Sequence, residues 1–176
     1  VSISEYARAQ KESFCVFEKL YFSNETSSWD GVIGENRENL GHELAMEEVA
    51  RIKSGKLDIS KIDYVVGVPD TARPGTFAFY ETLKSELGAS AKHLTSIRGL
   101  VKERYDFAKR TFIEDDPYLR RKHIEKKFFV SPSIIGKTIY LVDDTAVRLN
   151  TFKILVEHLL KIGVKEVHCR FLAPRF

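Results

Sequence analysis

Residues 139–151, IYLVDDTAVRLNT, constrain this chain more than any other stretch. Ile139, Tyr140, Leu141 and Val142 form an unbroken apolar run, the pattern of a strand buried on both faces. Two carboxylates, Asp143 and Asp144, follow at once, and then a short loop of hydroxyl, amide and small residues. Behind the loop Phe152, Leu155, Val156, Leu159 and Leu160 recur at helical spacing, with Gly163 placed to end the helix. Strand, polar loop and helix in that order are the unit of an α/β fold with an open, mainly parallel sheet flanked by helices. Ligands of such sheets sit beyond the carboxyl ends of the strands, where the first N–H groups of the next helix attract an anion. Thr145, Asn150 and Thr151 would add donors, while Asp143 and Asp144 suit ribose hydroxyls or a magnesium ion beside a phosphate. The same pair would also serve as a helix cap, and spacing alone does not separate the two readings.

The 176 residues, 43% of them hydrophobic, suffice for one domain with a substantial core, so residues 1–176 read as a single unit. No apolar run reaches the length of a membrane span, and the opening VSISEYARAQK is not a signal peptide. Cys15 and Cys169 lie far apart without metal-ligand spacing, which points to a reducing, cytoplasmic setting without disulfides. His42, His93, His123, His158 and His168 form no ligand cluster. The formal charge of +3 is localised: residues 92–127 hold eleven Lys or Arg against six Asp or Glu. Such a segment attracts a polyanion or is a solvated face. It lacks the aromatic interleaving of a single-strand reader, which argues against nucleic acid.

Earlier in the chain, residues 2–11 read as a polar arm or short helix, and residues 14–22, FCVFEKLYF, as a strand. A turn-prone stretch leads to a helix over residues 36–53 with Leu40, Leu44 and Val49 on one side. Residues 63–68, DYVVGV, are a second candidate buried strand, PDTARPG its turn, and helical spacing resumes over residues 77–87. If the strands are parallel, this turn shares an end of the sheet with the acidic doublet. Residues 94–98 suggest a strand. Residues 99–113, charged and aromatic without a period, suggest a loop able to close over a substrate and exclude water. Residues 117–127, PYLRRKHIEKK, form a basic helix with Pro117 at its start, and residues 164–172 a last strand.

Taken together, these segments resemble the type I phosphoribosyltransferases, and among them the glutamine phosphoribosylpyrophosphate amidotransferases. Asp143, Asp144, Thr145, Ala146, Val147, Arg148, Leu149, Asn150 and Thr151 are similar to that family's Asp-Asp-Ser-Ile-Val-Arg-Gly-Thr/Asn-Thr. Lys102, Arg104, Tyr105, Arg110, Thr111, Phe112 and Ile113 match its flexible catalytic loop, Lys-Asn-Arg-Tyr-Val-Gly-Arg-Thr-Phe-Ile. Asp70, Thr71 and Ala72 fall in its pyrophosphate-facing loop, although PDTARP alone reads more readily as a plain turn. Lys127 ends a segment like the family's Leu-Arg-Arg-Lys, as a phosphate contact or a solvated lysine. Arg37, Gly41, Leu44 and Ala45 resemble the segment that joins its glutaminase and transferase halves, and Cys15 falls where some members place an iron-sulfur ligand. Matches run in order from Cys15 to Pro174.

The resemblance implies a type I phosphoribosyltransferase fold and a pentosyltransferase that displaces pyrophosphate from phosphoribosyl pyrophosphate with ammonia or another amine. Magnesium would be the cofactor, held by Asp143 and Asp144 directly or through water. Asp143, Asp144, Lys102, Arg104, Tyr105 and Arg110 would be catalytic. Thr145 through Thr151, with Asp70, Thr71, Ala72 and Lys127, would bind substrate. Three features depart from the family: Leu149 replaces a glycine, Glu103 replaces an asparagine, and the spacer after Tyr105 is two residues longer. Leucine does not cheaply take the positive φ that glycine permits. The chain begins with Val rather than Met, roughly where a glutaminase domain should end, so either it is a piece of a longer protein, or it uses free ammonia or another partner such as a glutaminase domain or subunit, or it has lost the reaction. A degenerate module that binds a nucleotide or protein, transfer to a different nucleophile, and a homo-oligomer all stay open.

Overall fold

The computed structural model describes residues 23–28, 31–103, 117–146 and 149–173. The arm, the strand over residues 14–22 and Cys15 lie outside these residues. In chain order the elements are α1 (Ile33–Lys53), β1 (Tyr64–Gly67), α2 (Arg73–Leu87), β2 (Thr95–Ser96), β3 (Leu100–Lys102), α3 (Pro117–Lys127), β4 (Phe128–Val130), β5 (Thr138–Asp143), α4 (Asn150–Lys161) and β6 (Glu166–Phe171). Four strands form one sheet in the order β2-β1-β5-β6, every neighbouring pair parallel. β3 and β4 make a separate antiparallel pair, with Val101 opposite Phe129.

Strand alternation divides the core into two layers. Val65, Tyr140 and Val142 pack with Ala45 and Val49 of α1 and Phe79 and Leu83 of α2. Val66, Ile139 and Leu141 face the other way, onto Phe152, Leu155 and Leu159 of α4 and onto Leu100, Ile124 and Phe128 of the hairpin layer. Five of the six β5 residues are buried, as an apolar run in a central strand requires. α4 ends as its glycine indicates: Gly163, at φ +105°, and Val164 donate to the carbonyls of Leu160 and Leu159 at 3.1 and 3.0 Å.

Two contacts under the sheet carry no apolar signature. α1 and α2 approach so closely that a Cβ on Gly41 would lie 2.0 Å from the Gly75 carbonyl oxygen, so both positions need glycine. Glu48 is buried on α1 and accepts from the Tyr140 hydroxyl and the Arg170 Nε, both at 2.9 Å, and from Arg170 Nη2. A buried carboxylate persists only with such partners. Burial and the Glu48 charge push the Tyr140 hydroxyl well above the usual tyrosine range.

Several sequence expectations are corrected. α2 begins at Arg73, four residues before the expected start, because Pro74 sits in the first turn, where its missing N–H leaves no bond unmade. The turn PDTARPG therefore shrinks. Leu100, Val101 and Lys102 form a strand rather than loop, since residues 128–130 supply a partner that local pattern does not reveal. The strand expected over residues 94–98 contracts to Thr95–Ser96. Leu160 is 47% exposed, at the outer margin of the α4 stripe. No helix among the described residues is long and apolar enough to cross a membrane.

Candidate functional site

Topology places the crevice. From β1 the chain leaves through α2, on one face of the sheet, to β2; from β5 it leaves through α4, on the opposite face, to β6. The strand order therefore reverses between β1 and β5, and a crevice opens beyond their carboxyl ends. It is bordered by residues 69–72 and, of the described residues in the second loop, 144–146 and 149. They are joined by the Thr71 hydroxyl, which donates to Asp144 Oδ2, just beyond the strand ends, where the Val68 amide donates to the Val142 carbonyl at 2.8 Å. The Pro69–Asp70 peptide is cis.

The two aspartates share this crevice but not an environment. Because alternate residues of a strand face opposite layers, Asp144 continues the side of Tyr140 and Val142, and Asp143 the side of Ile139 and Leu141. Asp144 is 4% exposed and takes the hydroxyls of Thr71 and Thr145, the latter at 3.1 Å. Burial raises its carboxyl, opposed by those bonds and by the charge of Arg37 on α1. Asp143 is half-buried and accepts the Asp144 amide at 2.9 Å. Burial, then the Asp144 charge, push its carboxyl up to about 7, against the pull of that amide and of Lys127.

Next to the doublet, Leu149 holds φ +57°, the left-handed conformation that glycine takes freely. Leucine takes this shape here at the cost that a side chain pays for it. Its carbonyl accepts the Lys153 amide at 2.7 Å, and the α4 N-terminus, which has no side-chain cap, holds the chain there. The side chain is 47% exposed. Thr145 and Thr151 are half-buried, Ala146 and Asn150 exposed. Val147 and Arg148 lie outside the described residues.

On the far rim, Lys102 Nζ lies 3.3 Å from Asp70 Oδ2, and Arg73 Nη2 lies 3.8 Å from Asp70 Oδ1. The Glu103 amide donates to the Lys127 carbonyl at 2.9 Å, so Lys102 and Lys127 share one end of the hairpin. Ala72 is turned away: it is fully buried in the core, and its carbonyl accepts the Thr76 amide and hydroxyl at 2.8 and 2.7 Å. Arg104, Tyr105 and Arg110 lie outside the described residues. Arg37 and Arg73 were missed as site neighbours. Arg37 is one of a buried helical set with Gly41, Ala45 and Glu48, a spacing visible only if charged residues are counted with apolar ones.

A crevice with paired aspartates, lysines on its rim and an uncapped helix start is suited to a phosphorylated, hydroxyl-bearing ligand. The amidophosphoribosyltransferase of Synechococcus elongatus is 32% identical to this chain over 171 residues, and the human amidophosphoribosyltransferase 34% over 164. This chain is homologous to part of the amidophosphoribosyltransferases. The matches cover 96% and 92% of the chain but only 30% and 28% of the two relatives, so it spans about a third of their length. A solved structure described as the allosteric regulatory enzyme of purine biosynthesis superposes over 97% of the chain and 33% of its own length, with a TM-score of 0.66 and 28% identity. The parallel sheet and its flanking helices are the type I phosphoribosyltransferase fold. No protein-family model matches the chain.

Proposed function

We propose that residues 1–176 form a phosphoribosyltransferase domain that binds phosphoribosyl pyrophosphate in the crevice between β1 and β5. The domain then transfers the phosphoribosyl group to ammonia. The observation that carries this reading is the Thr71–Asp144 hydrogen bond, which joins the two crevice loops at the reversal point of the sheet in a chain homologous to amidophosphoribosyltransferases. The ammonia lone pair forms the new bond to C1 of the ribose while the C1–oxygen bond breaks. Pyrophosphate leaves with the electron pair, and the nitrogen then loses a proton to solvent.

This reaction places positive charge on the ring and negative charge on the leaving group, so the protein acts mainly through electrostatics. Asp143 and Asp144 would accept the ribose hydroxyls and favour the cationic ring. Each Asp144 oxygen already takes one threonine hydroxyl and has a second lone pair to offer. Thr145, Asn150, Thr151 and the start of α4 would hold the 5′-phosphate, and Lys102, Asp70, Thr71 and Lys127 would line the diphosphate end. In the free chain Asp70 lies against Lys102, so the diphosphate would take over that partner. Arg104, Tyr105 and Arg110 carry the role that their family resemblance gives them. The local donors are hard oxygens, two carboxylates with two threonine hydroxyls, a set that suits magnesium bound jointly with substrate phosphates. Magnesium held by Asp143 and Asp144 would supply charge neutralisation at the leaving diphosphate. Ammonia would come from a glutaminase domain or subunit, or from solution.

Titration calorimetry with phosphoribosyl pyrophosphate and magnesium tests the reading, followed by pyrophosphate release with ammonium. Micromolar binding, weakened at least tenfold by joint Asp143→Asn and Asp144→Asn substitution, is the expected result. No binding at millimolar ligand would leave a non-catalytic module with this fold.

A further inference from the structure

Three consecutive residues in the loop after β1 meet three different surroundings. Asp70 is exposed and reaches the rim, where Lys102 Nζ lies 3.3 Å and Arg73 Nη2 3.8 Å from its oxygens. Ala72 is fully buried in the core, and its carbonyl accepts the Thr76 amide and hydroxyl. Thr71, between them, gives its hydroxyl to Asp144 Oδ2 in the other crevice loop, 73 residues further along the chain. The buried Ala72 and the Arg73 amide, which donates to the Asp70 carbonyl at 3.3 Å, hold Thr71 in a tight turn with that direction.

The chemistry of a hydroxyl decides which end of the substrate it serves. A threonine carries one O–H proton, and the oxygens of a diphosphate would need that proton as acceptors. It is already committed to Asp144, a buried carboxylate that would lose a partner if the hydroxyl swung to the diphosphate. The other contacts of Asp144 do not replace it. The Asp144 carbonyl accepts the Ala173 amide at 2.8 Å, which fixes the main chain alone. Thr145 donates to Oδ1 at 3.1 Å, but it is the next residue and moves with the same loop.

We infer that Thr71 is a positioning residue for the ribose-binding carboxylate, and that its side chain is not a diphosphate contact. The inference rests on the reading of the crevice given above and amends the role that the family resemblance gives this residue. With Thr71 on Oδ2 and Thr145 on Oδ1, each oxygen keeps its remaining lone pair for a ribose hydroxyl. The Thr71 backbone still borders the diphosphate end, so the loop that meets the leaving group also steadies the group that meets the sugar.

The two ends of the substrate can be offered separately. Ribose 5-phosphate and inorganic pyrophosphate, each without metal, would be titrated into the unaltered chain, Thr71→Val and Thr71→Ser. Amide chemical shifts read the binding, and thermal unfolding is followed in parallel. Thr71→Val keeps the shape and removes the proton, whereas Thr71→Ser keeps the proton. Loss of a hydrogen bond to a charged group predicts ribose 5-phosphate binding about tenfold weaker in Thr71→Val, with pyrophosphate binding changed by less than about twofold. Thr71→Ser should stay within about twofold of the parent for both ligands. A diphosphate contact predicts the opposite selectivity, and a merely structural threonine weakens both ligands together. Either of these results, no change in either ligand, or a serine variant as weak as the valine variant would overturn the inference. An unchanged affinity of Thr71→Val for phosphoribosyl pyrophosphate with magnesium would refute it by itself. Should Thr71→Val fail to fold, Thr71→Ala takes its place, and ribose 5-phosphate must shift the Thr71 methyl resonance of the unaltered chain; a shift with pyrophosphate and none with ribose 5-phosphate refutes. Failure of the unaltered chain to bind phosphoribosyl pyrophosphate with magnesium would instead remove the functional reading beneath the inference.

Discussion

Replacing Gly41 by alanine probes the contact that sets α1 against α2, and its cost can be worked from the coordinates. The added Cβ would stand 2.0 Å from the Gly75 carbonyl oxygen, 2.8 Å from its carbonyl carbon and 2.9 Å from its Cα. Non-bonded carbons settle about 3.5 Å apart or more, so the helices must separate locally by roughly an ångström. Every blocking atom is backbone, so no rotamer change relieves the clash. Overpacking of this kind costs about 1–3 kcal/mol, and the upper end applies where backbone must move. Alanine returns about 1 kcal/mol of helix propensity, leaving a net loss of about 2 kcal/mol. Gly34, on the same helix, is the control: a Cβ there meets the Glu25 carbonyl oxygen at 3.4 Å and its Cβ at 3.9 Å, both ordinary contacts. Gly34→Ala should therefore gain up to about 1 kcal/mol. Urea unfolding followed by far-ultraviolet circular dichroism would read both, with the slope checked for constancy. α2 begins just after Thr71, so Gly41→Ala should also weaken phosphoribosyl pyrophosphate binding while Gly34→Ala leaves it unchanged. Shifts of the same sign in the two variants would refute the steric reasoning.

The remaining predictions concern charge and backbone shape. Glu48→Gln leaves the Arg170 guanidinium, 14% exposed, beside a neutral amide, and should cost about 3 kcal/mol in urea unfolding; a loss under about 1 kcal/mol would mean the pair behaves like a surface contact. Asp143, near 7 in the folded chain against about 4 unfolded, binds more proton when folded between those values, so stability should fall as pH rises from about 4 through 7. Asp143→Asn should flatten that decline in urea midpoints taken at pH 5 and pH 8, and an unaltered slope would contradict the assignment. Leu149→Gly releases about 1–2 kcal/mol of left-handed strain, and the half-exposed side chain forfeits about 1 kcal/mol of burial. Stability should then stay within about 1 kcal/mol of the parent while calorimetry shows tighter phosphoribosyl pyrophosphate binding; weaker binding would mean that the leucine itself contributes.

What could be read in the sequence was what local pattern encodes. β5, the doublet and α4 were legible because a buried strand, a polar loop and an amphipathic helix each write their own periodicity. The bounds of α3 were also legible, since Pro117 fixes its start and the lysines mark its last turn. The hairpin of β3 and β4 was not, because its partners are separated by about 25 residues and three-residue strands carry no measurable alternation. The start of α2 was missed for a different reason: PDTARPG was read whole as the turn, although a helix's first turn accepts proline. In the candidate site, position at a strand's end singled out the doublet, and Thr71 was named through the resemblance. Arg37 escaped because a search for apolar spacing passes over a buried cation.

The split between Asp143 and Asp144 has a consequence for how such a pair tolerates change. Since parity along β5 decides which layer each one meets, lengthening the strand by a single residue ahead of the doublet would exchange the layers they face. Point substitutions at these positions are therefore gentler than an indel nearby, and lineages that drift in sequence here should still keep an invariant count of residues from Thr138 to the acids.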